Sequence, residues 1–220
     1  VVPFLLGNIE NVSDLLPLYL WNDFTNYLKS NSAIEMDKNV IRLNGLRVSL
    51  ETKEGIFVLL KNLAKHYKVL YICDIPLCLN DLKVIHSDLT ELRIERCPFN
   101  FEEQLDLSQL THLTHFTCSN CFADCHLPFT LESFTCNLEY LDISGNLLNP
   151  IDHTPLVNWI EKQKSLKHLN LSKNNLNTRS APTLFDILFT HPSLEVLNLT
   201  NNYIGIQFLK QLSSFPGTLN

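Results

Sequence analysis

Basic charge is in short supply in this chain: 17 Lys and Arg stand against 23 Asp and Glu, for a formal net charge of −6. General nucleic-acid binding needs a basic stripe to neutralise phosphates, so that class of partner is not expected. The sequence also lacks a phosphate-binding glycine loop, a G-x-S-x-G nucleophile elbow and an H-E-x-x-H metal helix. Its eight histidines are scattered, with no nucleophile beside a base. Catalysis is not expected from these residues, and no cofactor is implied. No apolar run among them reads as a signal peptide or a membrane span.

What the sequence does contain is one short phrase, written several times. Leu138-Glu-Tyr-Leu141-Asp-Ile143-Ser-Gly-Asn146-Leu-Leu148 is followed by Leu166-Lys-His-Leu169-Asn-Leu171-Ser-Lys-Asn174-Asn-Leu176. Leu194-Glu-Val-Leu197-Asn-Leu199-Thr-Asn-Asn202-Tyr-Ile204 comes next. The phrase is L-x-x-L-x-L-x-x-N-x-L, and its fixed period makes coincidence a poor explanation. Leu89-Thr-Glu-Leu92-Arg-Ile94-Glu-Arg-Cys97 and Leu113-Thr-His-Phe116-Thr-Cys118-Ser-Asn-Cys121 keep the apolar positions and place cysteine where asparagine stood. Tyr67-Lys-Val-Leu70-Tyr-Ile72 and Leu43-Asn-Gly-Leu46-Arg-Val48 keep only the apolar half, and Leu219 opens a possible eighth copy.

This pattern resembles the leucine-rich repeat superfamily, with short repeats first and longer, ribonuclease-inhibitor-like ones after Leu138. The resemblance implies an α/β leucine-rich repeat solenoid: a curved parallel sheet on the concave face, with helices and extended segments on the convex face. The physical reading agrees. The central apolar pair of each copy points inward from a short strand, and the residues between them point outward. One repeat cannot bury its apolar side alone, so copies must stack. The asparagine turns inward where the strand ends, and its amide can bond backbone groups of adjacent turns.

Between strands, Thr154 and Pro155 open an expected helix with Leu156, Trp159 and Ile160 on its buried face. Ser180 caps a second through Leu184, Ile187 and Leu188, ended by His191-Pro192. Lys53 to Lys65 carries a helical stripe of Ile56, Leu59, Leu60 and Leu63. Phe122 to Asn137 carries little periodicity and reads as extended or 3₁₀ backbone.

Residues 1–42 do not repeat and read as an N-terminal helical capping region, with the repeats filling 43–220. Ser13 can cap a helix to about Lys29 whose apolar face is Leu18, Trp21, Phe24 and Leu28. The run Leu16-Pro17-x-x-Leu20…Phe24-x-x-Tyr27-Leu28 is also similar to the opening helix of an F-box, which would imply a substrate-receptor subunit of a ubiquitin ligase. At the other end, Ile206, Phe208, Leu209 and Leu212 form a further apolar face with no polar cap after it, so the natural protein is expected to continue past Asn220.

The seven cysteines, Cys73, Cys78, Cys97, Cys118, Cys121, Cys125 and Cys136, are odd in number and sit mid-array. They read as free core thiols in a reducing, intracellular compartment. His115, Cys118, Cys121, Cys125 and His126 have zinc-ligand chemistry, but the register turns Cys118 and Cys121 inward and His115 outward, so no metal site is expected. The glycosylation sequons at Asn170 and Asn198 follow from the repeat phrase itself; the third is at Asn11.

The outward strand residues are the candidate site. One column runs Arg47, Tyr71, Arg93, Thr117, Asp142, Asn170 and Asn198. Beside it run Gly45, Val69, Glu91, His115, Tyr140, His168 and Val196, with Glu95 completing a mixed-charge patch. Strands roughly 4.8 Å apart give a ribbon on the order of 30 Å long, comparable to one side of a protein interface. The expected partner is another protein, held against Arg47, Tyr71, Glu91, Arg93, Glu95, His115, Tyr140, Asp142, His168 and Asn170. The alternatives are the ligase receptor, or the recognition part of a larger signalling receptor or enzyme.

Overall fold

The computed structural model describes residues 18–45, 56–58, 60–61, 67–77, 83, 85–99, 107–121, 134–148, 154–177, 182–208, 213 and 215–220. Helix α1 (Leu18–Ser30) leads into an antiparallel hairpin of β1 (Ile34–Asp37) and β2 (Val40–Asn44). From β2 onward every pairing is parallel: β3 (Val69–Cys73), β4 (Glu91–Glu95), β5 (His115–Ser119), β6 (Tyr140–Asp142), β7 (His168–Asn170), β8 (Val196–Asn198) and β9 (Thr218–Leu219). Among the described residues these make one nine-stranded sheet in chain order, so the structure is a solenoid of one strand per turn.

The repeat phrase explains the core. Its three leucine positions, from Tyr67, Leu70 and Ile72 through Leu194, Leu197 and Leu199, are buried in every copy from β3 to β8. Each strand is short because the two inward residues are all that a turn must bury. The longer C-terminal repeats have room for helices α2 (Thr154–Lys162) and α3 (Pro182–Thr190), which pack together on the convex side. Leu156, Trp159 and Ile160 are buried as expected, joined by Val157; Leu184 and Leu188 are joined by Phe185 and Phe189. Aromatic rings fill the wider gap beneath: Phe134 lies 5.1 Å from Phe116 and 5.9 Å from Trp159, centroid to centroid.

Two register expectations are corrected. Arg42 pairs with Tyr71 and Ile41 with Leu70, so the first parallel strand is Val40–Asn44. Leu43 lies inside it and does not open it, and Arg42 takes the place expected of Arg47. The reason is the hairpin: Asp37 pairs with Val40 across a turn at Lys38 and Asn39, Lys38 having φ 44°. That turn fixes the phase before the leucine spacing can. Leu219 pairs with Leu197, in mid-strand, so it is not the first residue of its copy. Leu46, Arg47 and Val48 lie outside the described residues, as do Ser13, Pro17, Leu59, Leu63, Cys78, Cys125, His126, Ser180, Leu209 and Leu212. Of the expected Lys53–Lys65 helix, 56–58 and 60–61 are helical, with Ile56, Phe57 and Leu60 buried. Ile206–Phe208 forms a 3₁₀ turn.

Two residues after the second inward residue of the strand phrase, in six successive turns, stands a residue with positive φ: Asp74, Arg96, Asn120, Gly145, Lys173 and Asn201. This left-handed step aims the N–H of the first five at the next turn, at Glu95 O, Ser119 O, Ser144 O, Ser172 O and Thr200 O. The ladder therefore continues around the corner where the strand stops. Only one of the six is glycine, so the stacked hydrogen bonds hold four non-glycine residues, Asp74, Arg96, Asn120 and Lys173, in a region that non-glycine residues rarely adopt.

Candidate protein-interaction surface

Strand alternation places Tyr71, Glu91, Arg93, Glu95, His115, Tyr140, Asp142, His168 and Asn170 on one face of β3 to β7, the concave face, in adjacent register. Their inward neighbours are core residues, so these positions cannot exchange faces without a one-residue slip that would expose leucines.

The N-terminal part of this face is built from long side chains. Tyr71 is half-buried between two cations: the Cζ of Arg42 lies 4.9 Å from its ring centroid and that of Arg93 4.8 Å. Such contacts are worth about 0.5–1 kcal/mol when exposed, and they hold both guanidinium planes in place. Glu91 joins the group, accepting from Arg93 Nε at 2.6 Å and from the Tyr71 hydroxyl at 3.3 Å. Burial alone would lower the Arg93 pKa, but the Glu91 bond and charge outweigh it and raise it. At the strand ends Arg96 forks onto Asp74, Nε to Oδ1 and Nη2 to Oδ2, both at 2.8 Å. That bond holds the Asp74 carboxyl below its usual range and the Arg96 guanidinium above its own. The Cys73 thiol beside it is pushed up to about 11 by burial and by its bond to Asp74. Ser32, Glu35, Arg42, Tyr71, Arg93 and Glu95 border an open cavity of about 270 Å³ here.

Beyond β4 the face changes. A row of rings crosses it, His115 to Tyr140 at 5.8 Å and Tyr140 to His168 at 6.1 Å, one ring per turn. Burial raises the Tyr140 phenol, and the Asp142 charge adds to that. Alongside the row, Thr117, Ser119, Ser144 and Ser172 are small and buried. Asp142 and Asn170 have a structural task that the sequence pattern did not reveal. Each accepts, through Oδ1, the N–H two residues later (Ser144 at 2.9 Å, Ser172 at 3.1 Å), and Asn198 does the same for Thr200 at 3.0 Å. These are Asx turns that close the strand. The signal that could have found them is Asp or Asn as the last residue of the strand, with Ser or Thr two residues on.

Cys118 and Cys121 are buried on the core side, while His115 stands on the opposite face, its Nδ1 2.9 Å from the Thr114 hydroxyl. Cys73, Cys97, Cys118, Cys121 and Cys136 are free thiols. No helix among the described residues is long and apolar enough to cross a membrane.

The Leucine Rich Repeat family profile matches residues 137–159 and 165–187. Among solved structures, an internalin (inlF) from Listeria monocytogenes is 20% identical over 73% of this chain, with a TM-score of 0.49; the match spans 48% of that chain. No curated protein shows a significant match to the sequence. Stacked parallel turns, the phrase that builds them and the matched repeats identify a leucine-rich repeat solenoid, with residues 137–159 and 165–187 as leucine-rich repeats.

Proposed function

We propose that this array is a non-catalytic module that holds a partner protein against its concave face. The observation that carries the reading is the placement of Tyr71 and Tyr140. Both are large, half-buried and pre-oriented, Tyr71 by Arg42 and Arg93 and Tyr140 by His115 and His168. Tyrosine and arginine dominate interface energetics because they combine large contact area with polar tips and lose little freedom when already held. Helix α1 and the β1–β2 hairpin serve as the cap of the array, covering the first parallel turn. The free, buried thiols suit a reducing compartment, and we place the module inside the cell.

The test is binding of a partner recovered by affinity capture. Tyr71→Ala with Tyr140→Ala is expected to weaken it by more than about 1 kcal/mol, with the melting temperature nearly unchanged. Substitution of Lys162 and Lys164, on and just beyond α2, is expected to leave binding intact. Equal losses from both sets would remove the concave face as the binding surface.

A further inference from the structure

The Asp142 column contains its own control. Asp142, Asn170 and Asn198 occupy one register position on β6, β7 and β8, and each makes the same Asx turn. Two of the three turns are closed by a neutral amide, so the turn does not require a carboxylate. The negative charge at Asp142 is surplus to the turn. The residue is half-buried, its Oδ2 accepts only the neutral Asn170 Nδ2 at 2.8 Å, and no cation among the described residues pairs with it. The nearby cation on this face, Arg93, is already committed to Glu91 and to the Tyr71 ring. The carboxylate therefore has no counter-charge among the described residues, and a partner cation can supply one.

The surroundings say what kind of group fits. Tyr140, two residues earlier on the same strand, presents a second acceptor oxygen on the same face. Thr117, Ser144 and Ser172 are small, so no bulky side chain at those positions crowds the carboxylate. The whole chain carries a net charge of −6, so long-range attraction also favours a basic partner.

We propose that Asp142, with the Tyr140 hydroxyl beside it, receives a basic side chain of the protein partner, arginine in preference to lysine. A guanidinium offers five donors in a planar fork that spans two neighbouring acceptors, whereas an ammonium is a compact point charge. The inference rests on the concave-face reading above and names the chemistry that the face selects.

A capped hexa-arginine peptide is the probe, titrated into isotope-labelled protein at about 150 mM salt, with amide shifts recorded by NMR. Shifts are expected to concentrate on residues 115–119, 140–144 and 168–172. Asp142→Asn should weaken the peptide by at least about five-fold, while Glu161→Gln, which removes one charge from exposed α2, should change it less than about two-fold. The melting temperature of Asp142→Asn should fall by no more than about 4 °C, because asparagine keeps the turn and gives up only the bond from Asn170 Nδ2. Hexa-lysine should bind more weakly than hexa-arginine, and hexa-glutamate not at all. Equal losses from Asp142→Asn and Glu161→Gln, or shifts spread over the convex side, would overturn the proposal. With the captured partner, loss on Tyr140→Ala but not on Asp142→Asn sinks this inference and leaves the concave-face reading standing. Loss on neither sinks both.

Discussion

The turns after β4 and β5 and those after β6, β7 and β8 bury the same backbone corner with different chemistry. In the later turns Asn146 and Asn174 are fully buried and Asn202 partly so, and together they form a continuous ladder. Asn174 Nδ2 donates to Ile143 O at 3.0 Å and Leu171 O at 3.1 Å, while its Oδ1 accepts Asn146 N at 2.8 Å. Asn202 does the same one turn on, accepting Asn174 N at 3.1 Å and Leu176 N at 2.9 Å. In the earlier turns a thiol sits there. Cys97 Sγ has Ile72 O at 3.6 Å and Glu95 O at 3.3 Å as acceptors, and Cys121 Sγ has Ile94 O at 3.5 Å and Ser119 O at 3.1 Å. A thiol has one weak donor and accepts poorly, so it cannot serve two carbonyls and an N–H at once. Cys121 N is in fact satisfied from the next turn, by Asn146 Oδ1 at 2.9 Å. The ladder thus runs from Asn202 as far as Cys121. Ahead of it, weak thiol bonds stand at this corner in place of amide bonds, and apolar packing carries more of the corner's stability.

The largest expected effect follows directly. Asn174→Ala strands the buried Asn146 N–H and takes one of two amide donors from Ile143 O and from Leu171 O, which keep Asn146 Nδ2 and Asn202 Nδ2; with the cavity it leaves, a loss on the order of 3 kcal/mol is expected by chemical denaturation. Cys97→Ala removes one weak donor and a small apolar volume, and should cost about 1–2 kcal/mol. Equal losses at the two positions would abolish the contrast between the turns.

That contrast was partly written in the sequence. The asparagine and cysteine positions, the strands β3 to β8 and the buried helix faces of α2 and α3 follow from one phrase whose residues all have the same physical task. The ends were not legible, because the phrase fails there. Lys38 stands where a leucine should open the β2 turn, and the Lys38–Asn39 hairpin sets its phase. Pro216 stands in the matching place ahead of β9, so counting leucines led to Leu219. On the surface, the column of outward residues was readable by alternation from β3 onward. The Tyr71 sandwich depended on Arg42, which the wrong first register had hidden. The charge surplus at Asp142 became visible only once the Asx turns showed what its column is for.

A second, smaller contrast is in pH dependence. Burial pushes the Cys97 thiol up to about 12 and the Cys136 thiol to about 11 in the folded chain. An unfolded thiol titrates near 8.5. The stability tied to these raised values is fully present below the unfolded value. It is lost as pH rises, because the unfolded chain releases protons that the folded chain keeps. Unfolding free energy should therefore fall between about pH 9 and pH 11, by up to about 1 kcal/mol per thiol per unit. Cys97→Ala with Cys136→Ala should flatten that slope in a denaturation series. An unchanged slope would assign the alkaline loss to other groups. His191 gives the opposite limb: burial lowers its pKa even though its Nε2 lies 3.1 Å from Ile160 O. Its contribution is present above about pH 6.5 and lost as pH falls, and a His191→Gln variant should lose less stability on acidification.

The smallest effect, and the sharpest probe of the comparison, is to write the later chemistry into an earlier turn. In Cys121→Asn, one amide proton would reach Ile94 O, as Asn146 Nδ2 reaches Cys118 O at 2.7 Å. The other would reach Cys118 O, as Asn146 reaches Ile143 O at 2.8 Å. Each new bond contributes about 0.5–1.5 kcal/mol. Against them stands the larger side chain: Cys121 is buried, and overpacking costs about 1–3 kcal/mol. The two nearly cancel, so the variant should lie within about 1 kcal/mol of the parent. Its amide hydrogens in β4 and β5 should exchange more slowly, because the new bonds tie those turns together. A loss above about 3 kcal/mol would mean that the shorter turns have no room for an amide, and that cysteine stands there for its size. Parent-like stability with slower exchange would mean that the ladder can be extended toward the N-terminus, and that its end at Cys121 is a choice of residue rather than of backbone.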